Sequence, residues 1–278
     1  MIKLLCCAIA SLLLISCSSS PEAPVLYPLT GSALSATTSR LDALLPTDAL
    51  LLGEQHDAKE HQQIQAQVIS LLAQRGLLAA VALEMADAGV STAKLHPSST
   101  EQEAKNALKW NDKGWPWEAY GPAIMIAVRA GVPVLGGNLP PAQMRATMGN
   151  STLDGQLPGP ALKAQQQLIR IGHCNLLPES QITPMTRIQI GKDISLANTL
   201  AKAAVPGKVV VLLSGSAHND RLLGVPLHLP SSVKAKAVRL RAGPAAAGDS
   251  ADAYDAVWAT PALPEKDYCA EFKAQMGK

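Results

Sequence analysis

Four short apolar runs constrain this chain more than any other feature: Ala49–Gly53, Ala79–Leu83, Val132–Gly136 and Lys208–Leu213. Each is apolar on consecutive residues rather than on alternate ones, so each suits a strand buried on both faces. Longer stretches with helical spacing separate them, as in a parallel sheet whose crossovers are helices. The segment after Asp57 shows that spacing, with Ile64, Val68, Leu71 and Leu72 in phase, Asp57 as the expected cap and Gly76 as the stop. A second helix is expected to begin at Thr183-Pro184, and two more strands at Ala235–Arg241 and Ala253–Thr260. The expected fold class is α/β: a mostly parallel sheet covered by helices on both faces, with a smaller helical lobe from residues 90–130 and 140–205.

The first residues, MIKLLCCAIASLLLISC, read as a targeting segment. Lys3 is a positive start, and Leu4–Ile15 is apolar but shorter than the ~20 residues that span a bilayer. Leu14-Ile15-Ser16-Cys17 resembles a bacterial lipobox, which implies cleavage after residue 16 and acylation of Cys17. Several acyl chains on one residue make a stable membrane anchor. The chain then divides into a signal peptide (1–16), a lipidated Pro/Ser-rich tether (17–32) and one domain (33–278). Ser18 is not the aspartate that retains lipoproteins in the inner membrane, so the expected location is the outer membrane, facing the periplasm.

Composition narrows the rest. The chain has 24 Lys and Arg against 22 Asp and Glu, with no basic stripe, which argues against a nucleic-acid partner. With one Phe, four Trp and four Tyr, the core must rest on aliphatic residues. With Cys6 and Cys7 lost with the leader and Cys17 acylated, only Cys174 and Cys269 remain, an even pair in an oxidising compartment. They form either a disulfide or two buried thiols.

In an open α/β sheet, ligands bind beyond the carboxyl ends of the strands, and here those ends are polar. The first run leads into Glu54 and His56, two apart on an extended segment and so on one side. The second leads into Glu84, the third into Asn138 and the fourth into His218. Glu54, His56, Glu84 and His218 brought to one rim suit a divalent transition metal or a general acid–base site. His61 falls in the first turn of the following helix, in phase with Ile64 and Val68, facing either the same cleft or the core. His173 closes a helical pattern, where a cation is favourable. Trp110, Trp115, Trp117 and Tyr120 gather half of the Trp and Tyr residues into eleven positions, either as a local core or as a wall for a flat ligand. A tyrosine phenolate can ligate ferric haem, which makes Tyr120 a candidate ligand.

The ordered series LLGEQHD, ALEM, WPWEAYGP, GNLPPAQ, HCNLLP, MTRIQIGKD, GSAHNDRLLGVP, YDAVWATP and DYC resembles the ChaN-like haem-binding lipoproteins, grouped with the Tiki/TraB superfamily. The resemblance implies an α/β domain that binds haem in a subunit interface of a homodimer and acts in iron uptake. The superfamily's Gly-x-x-His, later Glu and later His fall on Gly53, His56, Glu84 and His218. Ala217 stands where that pattern has glycine, and Asn175 and Leu176 depart from it after Cys174. The expected haem-binding set is Tyr120, His56, His61, His173 and His218, with Arg145, Arg187 and Arg221 for the propionates. The alternatives are a metal-dependent hydrolase built on Glu54, His56, Glu84 and His218, and a non-catalytic scaffold.

Overall fold

A computed structural model describes residues 31–244 and 252–276. Cys17 and the expected signal peptide lie outside the described residues. The helices are α1 (Gly31–Asp42), α2 (Lys59–Gln74), α3 (Glu101–Leu108), α4 (Trp117–Arg129), α5 (Pro141–Gly149), α6 (Gly159–Gly172), α7 (Glu179–Ala203) and α8 (Tyr268–Met276). The strands are β1 (Ala49–Glu54), β2 (Leu78–Asp87), β3 (Val134–Asn138), β4 (Val209–Gly215), β5 (Ala235–Ala242) and β6 (Ala256–Thr260). They form one six-stranded sheet in the order β3-β2-β4-β1-β5-β6, with every pairing parallel.

The apolar runs are buried on both faces because alternate residues feed two cores. Leu50, Leu52, Val81, Leu83, Val211 and Leu213 pack with α2 and α4. Their neighbours Leu51, Ala80, Ala82, Val210 and Leu212 pack with Leu196, Ala197 and Leu200 of α7. At ~25 cal/mol per Å² of apolar surface removed from water, this two-sided burial is the main source of stability. Helices α5 and α6 rest chiefly on α7, joined by a small cluster of Leu153, Leu157 and Ile190. Among the described residues no helix is long and apolar enough to cross a membrane.

Glycines end the two helices over the first core. Gly76 and Gly131 take φ of 66° and 68°. The amides after them, of Leu77 and Val132, reach back to the carbonyls of Leu72 and Ala127. Val132 therefore belongs to the end of α4, and β3 starts two residues later than the apolar run suggested. Other boundaries also differ from expectation, among them the start of β6 at Ala256 in place of Ala253. Ala58, not Asp57, caps α2, and without a side-chain bond, because the Asp57 carboxylate instead accepts the Tyr268 hydroxyl at 2.6 Å. Helix α7 starts at Glu179, and Pro184 lies inside it. The bond proline removes would have ended on the carbonyl of Ser180, an exposed residue where water can replace it.

Candidate functional site

The carboxyl ends of β1, β2 and β4 bring Glu54, His56, Glu84 and His218 together, although the sequence spreads them over more than 160 positions. They form two connected carboxylate–imidazole pairs. In the first, His56 Nδ1 lies 2.8 Å from Glu54 Oε1, which also accepts the Tyr120 hydroxyl at 2.6 Å. Gln62 of α2 donates to Glu54 Oε2 at 3.2 Å and to the His56 carbonyl at 3.1 Å. The Trp115 ring stands edge-on to His56, with centroids 4.8 Å apart. In the second pair, His218 Nε2 lies 3.1 Å from Glu84 Oε1, and His218 Nδ1 lies 2.5 Å from Asp193 Oδ1. The Gly215 amide donates to Glu84 Oε2 at 2.8 Å, and His56 Nε2 is 4.0 Å from that same oxygen.

Burial sets the charges. It would by itself lower the pKa of His218, but Glu84 and Asp193 outweigh it and push that pKa up to about 10. His218 is thus an imidazolium that donates from both nitrogens. Burial would raise Glu84, yet His218 and His56 hold it well below the usual carboxylate range. Asp193 moves upward because its burial outweighs His218, and its Oδ2 is buried without a partner. Burial opposes the charging of His56 too, but the bond to Glu54 and the charge of Glu84 raise it overall. Tyr120 is raised by burial and by Glu54, so it remains a neutral donor.

Both nitrogens of His218 and Nδ1 of His56 are engaged by carboxylates in this arrangement. Among the described residues no group of three or more His, Cys, Asp or Glu side chains can hold a metal ion. The four residues converge as a hydrogen-bonded acid–base cluster.

The cluster floors a cleft of about 440 Å³, walled on its other side by Arg239, Leu240, Arg241 and Ala242. A second cavity of about 460 Å³ adjoins it, lined by His56, Trp115, Pro116, Tyr120, Lys266 and Tyr268. Trp117 and Tyr120 are only 7% and 1% exposed, so the aromatic stretch is mainly a local core, and Trp115 turns toward the cavity. Tyr120 is accordingly enclosed, with its hydroxyl committed to Glu54.

The other candidates are placed elsewhere. His61 is fully buried, and its Nδ1 accepts the Gln55 amide at 3.0 Å. Its proton is therefore on Nε2, which donates to Thr260 Oγ1 at 3.1 Å, and burial lowers its pKa to about 4. It braces the loop that carries His56. His173 caps α6, with Nδ1 2.8 Å from the Ile169 carbonyl. Arg187 holds Asp154 in a two-point pair at 2.8 and 2.6 Å, Arg221 lies 3.6 Å from Asp255, and Arg145 is on the exposed helix α5. None of the three arginines lines the cleft. Cys174 and Cys269 are joined in a disulfide that ties α8 to the α6–α7 turn.

Sequence reasoning missed Asp193, Gln189, Gln62, Arg239 and Arg241. Gln189 and Asp193 had a signal: they are four apart, polar, and set among Ile188, Ile190 and Leu196, which puts them on one face of α7. Gln189 Nε2 lies 3.1 Å from His218 Nδ1.

Comparison with known proteins places these residues in context. The model of a family described as "Haem-binding uptake, Tiki superfamily, ChaN" matches residues 40–229. The chain is similar to a structure titled "Cofacial heme binding to ChaN of Campylobacter jejuni", with a TM-score of 0.64 and 26% identity over 79% of this chain and 90% of that one. The type III effector HopBA1 matches with a TM-score of 0.44 and 14% identity over 86% of this chain and 97% of that one. No curated protein sequence matches.

Proposed function

Since the chain belongs to the haem-binding uptake family of the Tiki superfamily, ChaN, we propose that it binds haem as a lipid-anchored protein of the outer membrane, facing the periplasm. The observation that carries this reading is the family match over residues 40–229. The likeness to a Campylobacter jejuni protein that binds haem cofacially supports it. The lipobox at Cys17 supports the anchor.

Haem brings a flat apolar disc, two propionates and an iron that takes axial ligands. A protein that holds it needs exposed apolar surface and a nitrogen or oxygen ligand beside it. Exposed apolar side chains are present at Leu168, Ile171 and Leu176, which are 42%, 56% and 39% exposed. Cofacial stacking requires two discs face to face, and two copies of this chain related by a twofold axis would supply them. A homodimer therefore accompanies the haem reading.

Titration of ferric haem into the mature chain, held in detergent, tests it. The expected result is a saturable Soret shift with sub-micromolar affinity and a rise in the dimer fraction. A linear, unsaturable absorbance with unchanged particle size would refute haem binding.

One observation favours a second activity in the same molecule. His56 is oriented by Glu54 through Nδ1 and turns Nε2 toward the 440 Å³ cleft, which is the arrangement of a general base with its orienting carboxylate. On this reading His56 takes a proton from a water that attacks a bound ester or amide. His56→Ala should then abolish hydrolysis of a panel of esters without weakening haem. Equal turnover by the variant and the parent chain would dismiss it.

A further inference from the structure

We infer that the cleft takes an ester or amide with two unlike ends: a flat apolar group that enters the cavity beside Trp115, and an oxyanion, carboxylate or phosphate, that faces Arg239 and Arg241. The inference rests on the reading of His56 as a general base and names the substrate class of that site.

His56 lines both the 440 Å³ cleft and the 460 Å³ cavity, so it stands where they meet. On the cavity side, Trp115 sets its ring edge-on to the imidazole, and Pro116 and Tyr268 continue the wall. Tyr268 is fixed there. Its hydroxyl donates to Asp57 at 2.6 Å and accepts the Gln55 side-chain amide at 3.2 Å. Lys266, which also lines the cavity, is paired with Glu271 at 3.1 Å. Rings held in this way make a slot for a flat apolar group.

On the cleft side the wall is cationic. The last pairing of β1 with β5 joins Gly53 to Arg239, yet β5 runs on to Ala242. Residues 240–242 therefore pass the end of β1 and wall the cleft. Arg239 and Arg241 are two apart on that strand and share a side, opposite to Val238 and Leu240, which pack into the first core. Arg239 lies over the Tyr254 ring, 5.4 Å from its centroid, and Arg241 Nε donates to the Pro244 carbonyl at 2.9 Å. The acids of the floor do not offer a competing charge at the surface. Glu54 and Glu84 are buried, and each of their oxygens already meets a protein donor: Tyr120, His56 and Gln62 on Glu54, His218 and the Gly215 amide on Glu84. A guanidinium pairs with a carboxylate or phosphate through two parallel hydrogen bonds, so an oxyanion is what this wall selects. With both ends seated, the bond between them lies at His56. Water attacks the acyl carbon and gives its proton to His56 Nε2. The bond to the leaving oxygen or nitrogen breaks, and that proton passes to the leaving group, which yields an acid and an alcohol or amine.

The test uses the mature chain and three esters. Mono(2-naphthyl) glutarate has both ends, 2-naphthyl valerate has a methyl group in place of the carboxylate, and monomethyl glutarate lacks the aryl end. Each kcat/KM is divided by the ester's rate with hydroxide, which removes differences in leaving group. The first ester should exceed each of the others by at least ~10-fold, the worth of one charge-assisted hydrogen bond. Arg241→Gln should shrink its lead over the valerate ester, chiefly through KM, and Arg241→Lys should recover part of it. Trp115→Ala should shrink its lead over the methyl ester. Equal rates on the glutarate and valerate esters, or a lead that Arg241→Gln does not move, would overturn the inference while hydrolysis at His56 stands. Turnover of none of the three would overturn both. If Arg241→Gln fails to fold, glutarate and inorganic phosphate are tried as competitors of the wild-type chain. Competition by either supports the oxyanion site and tells which oxyanion it takes, and competition by neither overturns it.

Discussion

Tyr120 and Glu54 are 66 positions apart in sequence, yet the tyrosine hydroxyl donates to the carboxylate at 2.6 Å inside the protein. The same oxygen receives His56 Nδ1 at 2.8 Å. A core tyrosine thus shares an acceptor with the histidine that faces the cleft. Tyr120→Phe keeps the ring and deletes that donor, and should cost about 1–3 kcal/mol, the range for leaving a buried acceptor short of a partner. With Glu54 less neutralised, the His56 pKa should rise. Urea unfolding and histidine NMR titration check the two effects, and no change in either would remove Tyr120 from the cluster.

His218 separates two buried acids, Glu84 and Asp193. Its removal leaves both without their cation, so His218→Ala should destabilise by about 3–5 kcal/mol. Glu84 and His218 should also fail additivity. A double-mutant cycle is expected to give a coupling of ~0.5–3 kcal/mol, and additive losses would show that the pair acts independently.

Two histidines should bend the pH–stability curve in opposite directions. The folded-state pKa of His218 is raised to about 10 from 6.5. Its contribution is therefore complete below about 6.5 and is lost as pH rises toward 10. The folded-state pKa of His61 is lowered to about 4 from 6.5, so its contribution is complete above about 6.5 and is lost as pH falls toward 4. Melting temperatures across this range should peak near neutrality. His218→Gln should flatten the alkaline limb, and His61→Gln the acid one. An unchanged limb in either variant would show that another group controls it.

Two glycines near the cluster should respond differently to alanine. A methyl group at Gly224 would stand 2.2 Å from the His218 carbonyl oxygen, which the backbone holds. At Gly215 it would meet His56 Nε2 at 2.9 Å, the end of a side chain 41% exposed and able to swing away. Gly224→Ala is expected to destabilise the fold by at least ~1–3 kcal/mol through overpacking. Gly215→Ala should fold, with a displaced His56 signal and loss of any hydrolysis. Equal melting temperatures for the two variants would contradict this.

The disulfide closes a separation of 95 residues. Reduction should lower stability by about 2–4 kcal/mol and loosen α8. Tyr268 would then leave Asp57, which it meets at 2.6 Å, and Phe272 would leave His173. Hydrogen exchange at 268–276 before and after reduction reads that release. Unchanged protection would mean that α8 is held by other contacts.

The apolar runs, the Gly76 stop and the polar strand ends were legible along the chain, because burial on both faces and helix termination leave local marks. Glu54, His56, Glu84 and His218 could be named from their places at those ends. The cap at Asp57 and the helix start at Pro184 were misread for a shared reason. Asp57 is claimed by Tyr268, more than two hundred positions away. Pro184 is tolerated because Ser180 faces solvent. Neither fact is local.

By itself the sequence determined the α/β class, the strand-end residues and the family, since all three follow from order and spacing along one chain. Only the tertiary structure decided what those residues are to one another. The order β3-β2-β4-β1-β5-β6 sets β4 between β2 and β1, which brings His218 to Glu84, and α7 then supplies Asp193 as the second acid. Two carboxylates on one buried imidazole raise its pKa, and that outcome depends on distances that no spacing in the sequence records.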